Sequence, residues 1–363
     1  MKRILIVVSI LFISCETKLA KNGQINSIEQ ISDIQANLIF DRAKVFPNNS
    51  QISISIVENG LARFYGVIRK NDIICSLGNK DSVFEIGSIT KVFTSTLLVN
   101  AVVENKLKLG DSINDYLNFP LKDDTKITFQ SLANHTSGLP KNPSNLGFGL
   151  GNPNSKYRYY DEEKLKKYLT EGLRLTYKPG ERTKYSNLGA GVLGYTLCEV
   201  YEKDYESLIL DKIFWRYQMK NSTSNINKIV PFLVRGLDEN GNEVPNLDLS
   251  ALVGAGGIFS TVEDLSKFVI AHFDHSNKEL QLTLRKTFSI DEASDRGLSW
   301  RILRNPSSQP WYFHNGATPG YKSFLVMNTK TQNAIVILSN VSGRNKNQSN
   351  IDGLGFELMK TLE

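Results

Sequence analysis

The sequence predicts an α/β fold of the α+β type, in which an antiparallel β-sheet is flanked by helices. Two observations indicate this class: segments near both ends of the chain alternate apolar and polar residues, whereas the middle has helical apolar spacing. The 363 residues suffice for a sheet unit and a second domain. We therefore expect a sheet built from N- and C-terminal segments, with a mostly helical domain inserted between them.

Residues 1–15 are similar to a lipoprotein signal peptide. Two basic residues precede an apolar run, Ile4 to Ile13, which is shorter than the ~20 residues that span a bilayer. The run leads into "FISC", which resembles a bacterial lipobox with Cys15 as the lipidated residue. A plain secretory signal or an uncleaved anchor is the alternative. Residues 16–30 are then a polar tether, and the expected location is the bacterial cell envelope, lipid-anchored and facing the periplasm, or secreted.

Strand patterns follow near both ends of the remaining chain. "QISISIVENGLARFYGVIRK" alternates on both sides of Glu58-Asn59-Gly60, which predicts a β-hairpin with an Asn-Gly turn. Near the C-terminus, residues 309–340 contain three strand-like runs separated by turn signals. The last amphipathic stretch, 353–362, predicts a closing helix.

The middle of the chain has helical periodicity. The predicted helices cover 91–107, 161–172, 189–202, 205–217 and 261–273. A long loop, 142–160, is rich in Gly, Asn, Pro and Ser. The sheet domain is accordingly predicted to comprise 31–90 and 255–363, and the inserted helical domain 91–254. A cleft between the two is the expected ligand site.

Composition argues against nucleic-acid binding and against a metal centre. The net charge of +6 is spread along the chain without a block of like charges, so no nucleic-acid partner is expected. The four histidines are His135, His272, His275 and His314. His272 and His275 fall near the end of a predicted surface helix and lack a third ligand, so we expect neither a metal site nor a cofactor.

Two cysteines remain beyond Cys15. Cys75 and Cys198 both have apolar neighbours, which favours buried free thiols. A single disulfide between them is the alternative, and their spacing matches no zinc or redox pattern.

A serine and a lysine lie three residues apart in "FEIGSITKVFTSTLL". This spacing places Ser88 and Lys91 on one face of a helix. Burial and the positive end of the helix both lower the pKa of the lysine, so a neutral Lys91 can take the proton of Ser88. The backbone N–H of Ser88 can then hold an oxyanion. The alternative is an exposed first turn capped by Ser88, but the apolar flanks argue against exposure.

"KYSNLGAGVLGY" supplies a second candidate element just before a predicted helix. Near a cation, Tyr185 is expected to have a lowered pKa and to shuttle protons. The amide of Asn187 can orient both a lysine and a substrate amide. The alternative is a helix cap with Tyr185 as core filler, since a second Tyr-x-Asn occurs at Tyr116-Leu117-Asn118.

The third candidate element lies in a predicted strand that ends in a turn. It consists of His314, Asn315 and Gly316, where the glycine allows a ligand backbone to approach closely. The next N–H, that of Ala317, can serve as a second oxyanion donor. The alternative is an ordinary strand histidine beside a bulge.

Taken in order, these elements resemble the penicillin-recognising serine hydrolases, and best the branch of class C β-lactamases, D-alanyl-D-alanine carboxypeptidases and related esterases. Other segments agree with this, among them "AVVENKLKLGDSINDYL", "ITFQSLANHTSGLP" and "GAGGIFSTVEDLSKF". The resemblance covers most of residues 51–340. It implies the β-lactamase/DD-peptidase fold, a sheet domain with an inserted helical domain.

The resemblance also implies roles for the residues already singled out. Ser88 is the implied nucleophile, Lys91 its base, and Tyr185 a member of the second catalytic element. The implied substrate-binding residues are Asn187, His314, Asn315, Gly316 and Ala317.

One departure from the family pattern bears on function. Class C β-lactamases carry Lys-Thr-Gly where this chain has His314, and a histidine is neutral or half-charged near pH 7. We therefore expect a serine hydrolase that forms an acyl-enzyme on D-amino-acid peptides of cell-wall origin or on small esters. The alternatives are a true β-lactamase and a non-catalytic lipoprotein that binds cell-wall fragments. The expected partners are such peptidoglycan fragments, β-lactams or esters, and a membrane reached through the lipid anchor.

Overall fold

A computed structural model describes residues 21–24, 31–147, 156–304 and 309–363. The predicted signal peptide, including Cys15, lies outside the described residues. So does the tip of the predicted long loop, 148–155.

A ten-stranded sheet forms the centre of the described chain. The strands are β1 (Lys21–Gln24), β2 (Gln51–Glu58), β3 (Leu61–Lys70), β4 (Ile73–Ser76), β5 (Phe84–Glu85), β6 (Phe259–Ser260), β7 (Phe288–Ser289), β8 (Ser294–Arg296), β9 (Arg301–Leu303), β10 (Trp311–Ala317), β11 (Lys322–Asn328) and β12 (Asn333–Ser339). The order across the sheet is β1-β4-β3-β2-β12-β11-β10-β9-β8-β7, while β5 and β6 pair separately. N- and C-terminal segments meet where β2 pairs with β12, which confirms the predicted architecture.

One edge of the sheet differs from the prediction. β1 falls within the stretch predicted to be a polar tether, yet it pairs with β4, and this pair is parallel whereas the other neighbours in the sheet are antiparallel. A four-residue edge strand has too few residues to show alternation in the sequence.

Helices cover both faces of the sheet. They are α1 (Asp33–Ala43), α2 (Thr90–Val103), α3 (Phe129–Ala133), α4 (Glu162–Lys167), α5 (Asn187–Tyr201), α6 (Tyr205–Ile209), α7 (Val262–Ala271), α8 (Lys278–Leu284) and α9 (Ser349–Lys360). The predicted helices are all present, but α4 and α6 each continue into a wider turn, Tyr168–Gly172 and Leu210–Phe214 respectively. Within the described ranges, no helix has the length and apolar character needed to cross a bilayer.

Two apolar cores lie on opposite faces of the sheet. On one face α1 and α9 pack against β2, β11 and β12. On the other face α7 packs against β2 and β12, and its core continues without interruption into α2, α5 and α6. The inserted helical segment therefore shares a core with the sheet, which fixes α2 relative to β10.

Cys75 on β4 and Cys198 on α5 are unpaired. Both thiols are half-buried, so the prediction of fully buried side chains is corrected. Burial raises the pKa of Cys198 to about 12, which makes its thiol unreactive at neutral pH.

Alanine substitutions at two glycines of α9 are expected to have opposite effects on stability. A Cβ at Gly355 would lie 2.1 Å from the ring of Phe324, and the stacked ring of Phe313 and the edge of Phe356 prevent that ring from moving. We expect Gly355→Ala to lower the free energy of unfolding by roughly 1–3 kcal/mol.

The matched control is Gly353→Ala, two residues away in the same helix. Its Cβ would meet only the end of the Arg42 side chain at 3.5 Å, so alanine should stabilise α9 by roughly 0.5–1 kcal/mol. Urea denaturation of both variants measures the difference. Equal destabilisation by the two substitutions would contradict the packing described for Phe324.

Candidate active site

Ser88 lies where the sheet meets the helical segment. After β5, the tight turn Gly87–Ile89 leads directly into α2. Gly87 has a φ of +51°, and a Cβ at this position would lie 3.0 Å from the nitrogen of Ala317. Glycine is needed here both for the left-handed backbone and for the close approach of β10. The turn thereby holds Ser88 against the end of that strand.

Lys91 is fully buried at the start of α2. Its Nζ lies 3.1 Å from Ser88 Oγ. Two further oxygens surround the amine, Asn187 Oδ1 at 3.0 Å and the carbonyl oxygen of Ala255 at 2.5 Å. Burial, reinforced by the positive charge of Lys141, holds the pKa of Lys91 well below its ordinary value.

This surrounding matches the hydrogen-bonding capacity of a neutral amine. The three contacting groups are uncharged, and a neutral amine has two N–H donors and one lone pair. The N–H groups can donate to Asn187 and Ala255, which leaves the lone pair for the hydroxyl hydrogen of Ser88. Lys91 is thus arranged to accept the proton of the serine.

Tyr185 precedes α5 and donates its hydroxyl hydrogen to Ser88 Oγ at 2.5 Å. The Nζ of Lys91 lies over its ring, 4.8 Å from the centroid. Burial raises the pKa of Tyr185 to about 12, and the charge of Lys141 only partly offsets this effect. The predicted lowering of the Tyr185 pKa is therefore wrong, and the side chain is a protonated donor in the resting site.

His314 is buried on β10, and its Nδ1 lies 2.8 Å from the carbonyl oxygen of Asn315. Burial lowers the pKa of His314 to about 3. The imidazole is therefore neutral at pH 7, which is one of the two states expected from the sequence.

Asn315 does not join the other predicted residues. Successive side chains of a strand point to opposite faces, and Asn315 Nδ2 donates to Asp352 of α9 at 3.1 Å. Asp352 also pairs with the buried Lys322 at 2.8 Å. Asn315 therefore anchors the closing helix on the far face of the sheet, and its predicted role in substrate binding is corrected.

Gly316 and Ala317 do face Ser88. A Cβ at Gly316 would lie 2.1 Å from the carbonyl oxygen of Ile86 and 3.0 Å from the nitrogen of Ser88, so no larger residue fits. Thr318 N–H donates to the carbonyl oxygen of Tyr321, just before β11, and amides alternate direction along a strand, so the N–H of Ala317 points to the opposite side. β9 pairs only with Trp311–Phe313 and leaves this edge open.

The N–H of Ser88 has no partner within its own helix because it lies in the first turn. Together with the N–H of Ala317 it forms a pair of donors beside the serine hydroxyl. Such a pair can stabilise an oxyanion on an acyl carbon attacked by Ser88.

His135 was not predicted as a site residue, although it lies in the quoted segment "ITFQSLANHTSGLP". Its ring packs 4.7 Å from that of Tyr185, and its Nδ1 accepts a hydrogen bond from the N–H of Ser186 at 3.3 Å. Burial keeps the pKa of His135 well below its usual value. The neutral ring supports Tyr185 from behind without adding charge.

An open cleft of about 360 Å³ lies over Ser88. Leucines form its floor: Leu247, Leu249 and Leu252. The helical wall consists of Lys141, Asn142, Lys156, Tyr157 and Asn187, and the sheet wall of Ala317, Thr318, Pro319, Gly343 and Arg344. No local pattern in the sequence marks this set, because its residues come from six separate segments of the chain.

The other histidine pair takes no part in this site. His272 is buried at the end of α7, with Nδ1 2.9 Å from the carbonyl oxygen of Phe268, and burial lowers its pKa to about 4. The expectation of a surface position is therefore wrong for His272, whereas His275 is exposed. In the part of the chain that the structure describes, no three His, Cys, Asp or Glu side chains group as a metal site would require.

Comparison with known proteins places this geometry in context. A model of the family described as "Beta-lactamase" matches residues 60–358. Beta-lactamase-like protein 4 of Dictyostelium discoideum is 28% identical over 295 residues, which are 72% of this chain and 51% of that protein. The D-alanyl-D-alanine-carboxypeptidase/endopeptidase AmpH of Escherichia coli (strain K12) is 28% identical over 270 residues, with 68% of each chain covered. The chain thus spans about half of the first relative and about two thirds of the second.

The fold also matches solved structures. The crystal structure of a beta-lactamase/D-alanine carboxypeptidase from Pseudomonas syringae superposes with a TM-score of 0.76 and covers 91% of this chain and 99% of the other. At 20% identity this likeness shows a common fold.

Replacing the buried amine tests its role as a base. We expect Lys91→Met to slow acylation by p-nitrophenyl acetate by roughly 10²–10⁴-fold, the usual contribution of a general base. Because a neutral amine is replaced by an apolar side chain of similar length, the thermal midpoint should not fall. In the wild type, acylation should decline as the pH drops through the depressed pKa of Lys91, which then becomes protonated.

Lys322→Met provides the contrast, because it removes a second buried lysine that is paired with Asp352. This variant should lose stability and retain the acylation rate per folded molecule. An acylation rate of Lys91→Met within a few-fold of the wild type would show that another group is the base.

Proposed function

Since the chain belongs to the beta-lactamase family, we propose that it is a serine hydrolase that works through an acyl-enzyme on Ser88. One observation carries this proposal: a buried Lys91, whose pKa is held well below its ordinary value, lies 3.1 Å from a serine Oγ that also accepts a hydrogen bond from Tyr185. A serine in this setting has a base for its proton and a donor for the leaving group.

In the proposed acylation, the hydroxyl proton of Ser88 moves to Nζ of Lys91 as Oγ attacks the carbonyl carbon of the substrate. The carbonyl oxygen becomes an oxyanion between the N–H groups of Ser88 and Ala317. When the carbon–leaving-group bond breaks, Tyr185 gives its proton to the departing atom. Lys91, now an ammonium, stabilises the phenolate and returns a proton to it.

Hydrolysis of the acyl-enzyme then runs in the reverse sense. Water takes the position of the leaving group and gives a proton to the base formed by Tyr185 and Lys91 as its oxygen attacks the acyl carbon. Collapse of the second tetrahedral adduct breaks the bond to Ser88 Oγ, which regains its proton. The described residues, the substrate and one water molecule account for every proton transferred in the two steps.

The proposed substrates are D-amino-acid peptides of cell-wall origin or small esters. Two observations support this class. The E. coli relative is named as a carboxypeptidase and endopeptidase for D-alanyl-D-alanine, and the neutral His314 supplies no permanent cation in the third element. The second observation also argues against efficient β-lactam hydrolysis, because a charged hydrogen bond to a carboxylate is stronger than a neutral one.

Intact-mass analysis tests the acyl-enzyme directly. After exposure to benzylpenicillin, to a peptide ending in D-Ala-D-Ala or to a p-nitrophenyl ester, we expect at least one covalent adduct. Ser88→Ala should abolish the adduct, whereas Ser95→Ala, which removes another buried hydroxyl of α2, should retain it. Fast release of ring-opened, hydrolysed benzylpenicillin would instead favour a true β-lactamase, and the absence of adduct with all three would favour a non-catalytic binding protein.

We also propose that the protein is a lipid-anchored component of the bacterial cell envelope that faces the periplasm. The support is the short apolar run Ile4 to Ile13 followed by "FISC". In metabolic labelling with a fatty acid, Cys15→Ala should lose the label and Cys198→Ala should keep it. Equal labelling of Cys15→Ala and the wild type would remove the lipid anchor from this proposal.

A further inference from the structure

Three cationic side chains line the cleft over Ser88. Lys141 and Lys156 line its helical wall and Arg344 its sheet wall. Among the residues described, no Asp or Glu lines this cleft. A bound anion would therefore meet attraction from several sides and no repulsion from the lining.

The two lysines of the helical wall have no carboxylate partner within ion-pair distance in the described ranges. Lys156 lies over the ring of Tyr157, 5.3 Å from the centroid, and Lys141 is exposed. Their neighbour Asn142 accepts hydrogen bonds from Tyr157 at 3.0 Å and from Asn187 at 3.5 Å. These contacts hold Asn142 and Tyr157, the sequence neighbours of the two lysines, against Asn187.

Below the lysines the cleft is apolar. Its floor of Leu247, Leu249 and Leu252 suits a chain of methylene groups. An occupant that matches both features has an aliphatic stem along the leucines and a negative charge at the rim.

The position of Tyr185 indicates which half of the substrate occupies this space. In the proposed chemistry the leaving group must lie against the Tyr185 hydroxyl, which contacts Ser88 Oγ. Tyr185 is not part of the lining of the cleft as described, whereas Ser88 and Asn187 are. The space next to the lysines is therefore available to the acyl half.

Building on the proposed acyl-enzyme, we propose that the acyl half of the substrate is a short aliphatic chain that ends in a carboxylate, and that Lys141 and Lys156 bind this carboxylate. The side chain of an acidic amino acid and a glutaryl group both have this chemistry.

Three esters separate this proposal from the hydrolase activity itself. p-Nitrophenyl pentanoate and mono-p-nitrophenyl glutarate have acyl chains of equal length, and only the second ends in a carboxylate. 3-Carboxyphenyl acetate places the charge on the leaving group instead. We expect the wild type to prefer glutarate over pentanoate in kcat/KM by about ten-fold, the order of a charge-assisted contact. The preference should shrink as salt is added, because Lys141 is exposed and Lys156 is only half-buried.

Charge variants then assign the preference to the two lysines. Lys141→Gln and Lys156→Gln should each reduce the glutarate-to-pentanoate ratio by a few-fold, and Lys156→Glu should bring it to one or below. Lys70→Glu makes the same charge change at an exposed position on β3, separated from β10 by three strands, and should leave the ratio unchanged.

The outcomes are distinct. Ser88-dependent hydrolysis of glutarate and pentanoate at equal rates would overturn the anionic acyl group and leave the hydrolase standing. A preference for 3-carboxyphenyl acetate over the other two esters that depends on Lys141 and Lys156 would also overturn the proposal. The lysines would then bind a carboxylate on the leaving group. If Lys70→Glu lowered the glutarate-to-pentanoate ratio as much as Lys156→Glu does, the preference would reflect general charge attraction and not binding by the two cleft lysines. The absence of Ser88-dependent hydrolysis of all three esters would overturn the proposed function itself.

Discussion

The site depends on the burial of one amine away from any opposite charge. Lys91 has no exposed surface, and its partners are a hydroxyl, an amide oxygen and a backbone carbonyl. A carboxylate beside it would hold the amine protonated, because an ion pair favours the charged form. Lys322, on the other face of the sheet, shows that arrangement with Asp352. The described part of the chain thus contains two buried lysines in opposite electrostatic settings, and of these only Lys91, which has no carboxylate beside it, is suited to act as a base.

The position of this amine is fixed by close backbone contacts between α2 and β10. Gly87 and Gly316 allow the turn before α2 to approach the strand, and Ser323 of β11 donates a hydrogen bond to the carbonyl oxygen of Ile86 at 2.8 Å. The same approach brings the N–H groups of Ser88 and Ala317 to one side of the serine. Since the two elements pack in one continuous core, the nucleophile, the base and the oxyanion donors are held in one arrangement.

Local patterns predicted most of the fold and part of the site. The hairpin turn at Asn59-Gly60, with both φ angles positive, and the spacing of Ser88 and Lys91 follow from neighbouring residues alone. The raised pKa of Tyr185 could not be predicted in this way, because burial outweighs the effect of the nearby cation and burial is a property of the folded chain. The face of Asn315 depends on strand register relative to α2, which no local pattern encodes. The cleft lysines likewise acquire a common location only when the helical segment folds over the sheet.

The positive cleft and the neutral base are coupled through Lys141. Its charge helps to lower the pKa of Lys91 and opposes the rise in the pKa of Tyr185. A carboxylate bound to Lys141 would offset that charge, so the pKa of Lys91 would rise in the complex and its affinity for the serine proton would increase. A general base is most effective when its pKa approaches the working pH from below. An anionic acyl group would therefore make Lys91 a stronger base for the proton of Ser88. A neutral ester of equal length would leave the pKa of Lys91 as it is in the free enzyme.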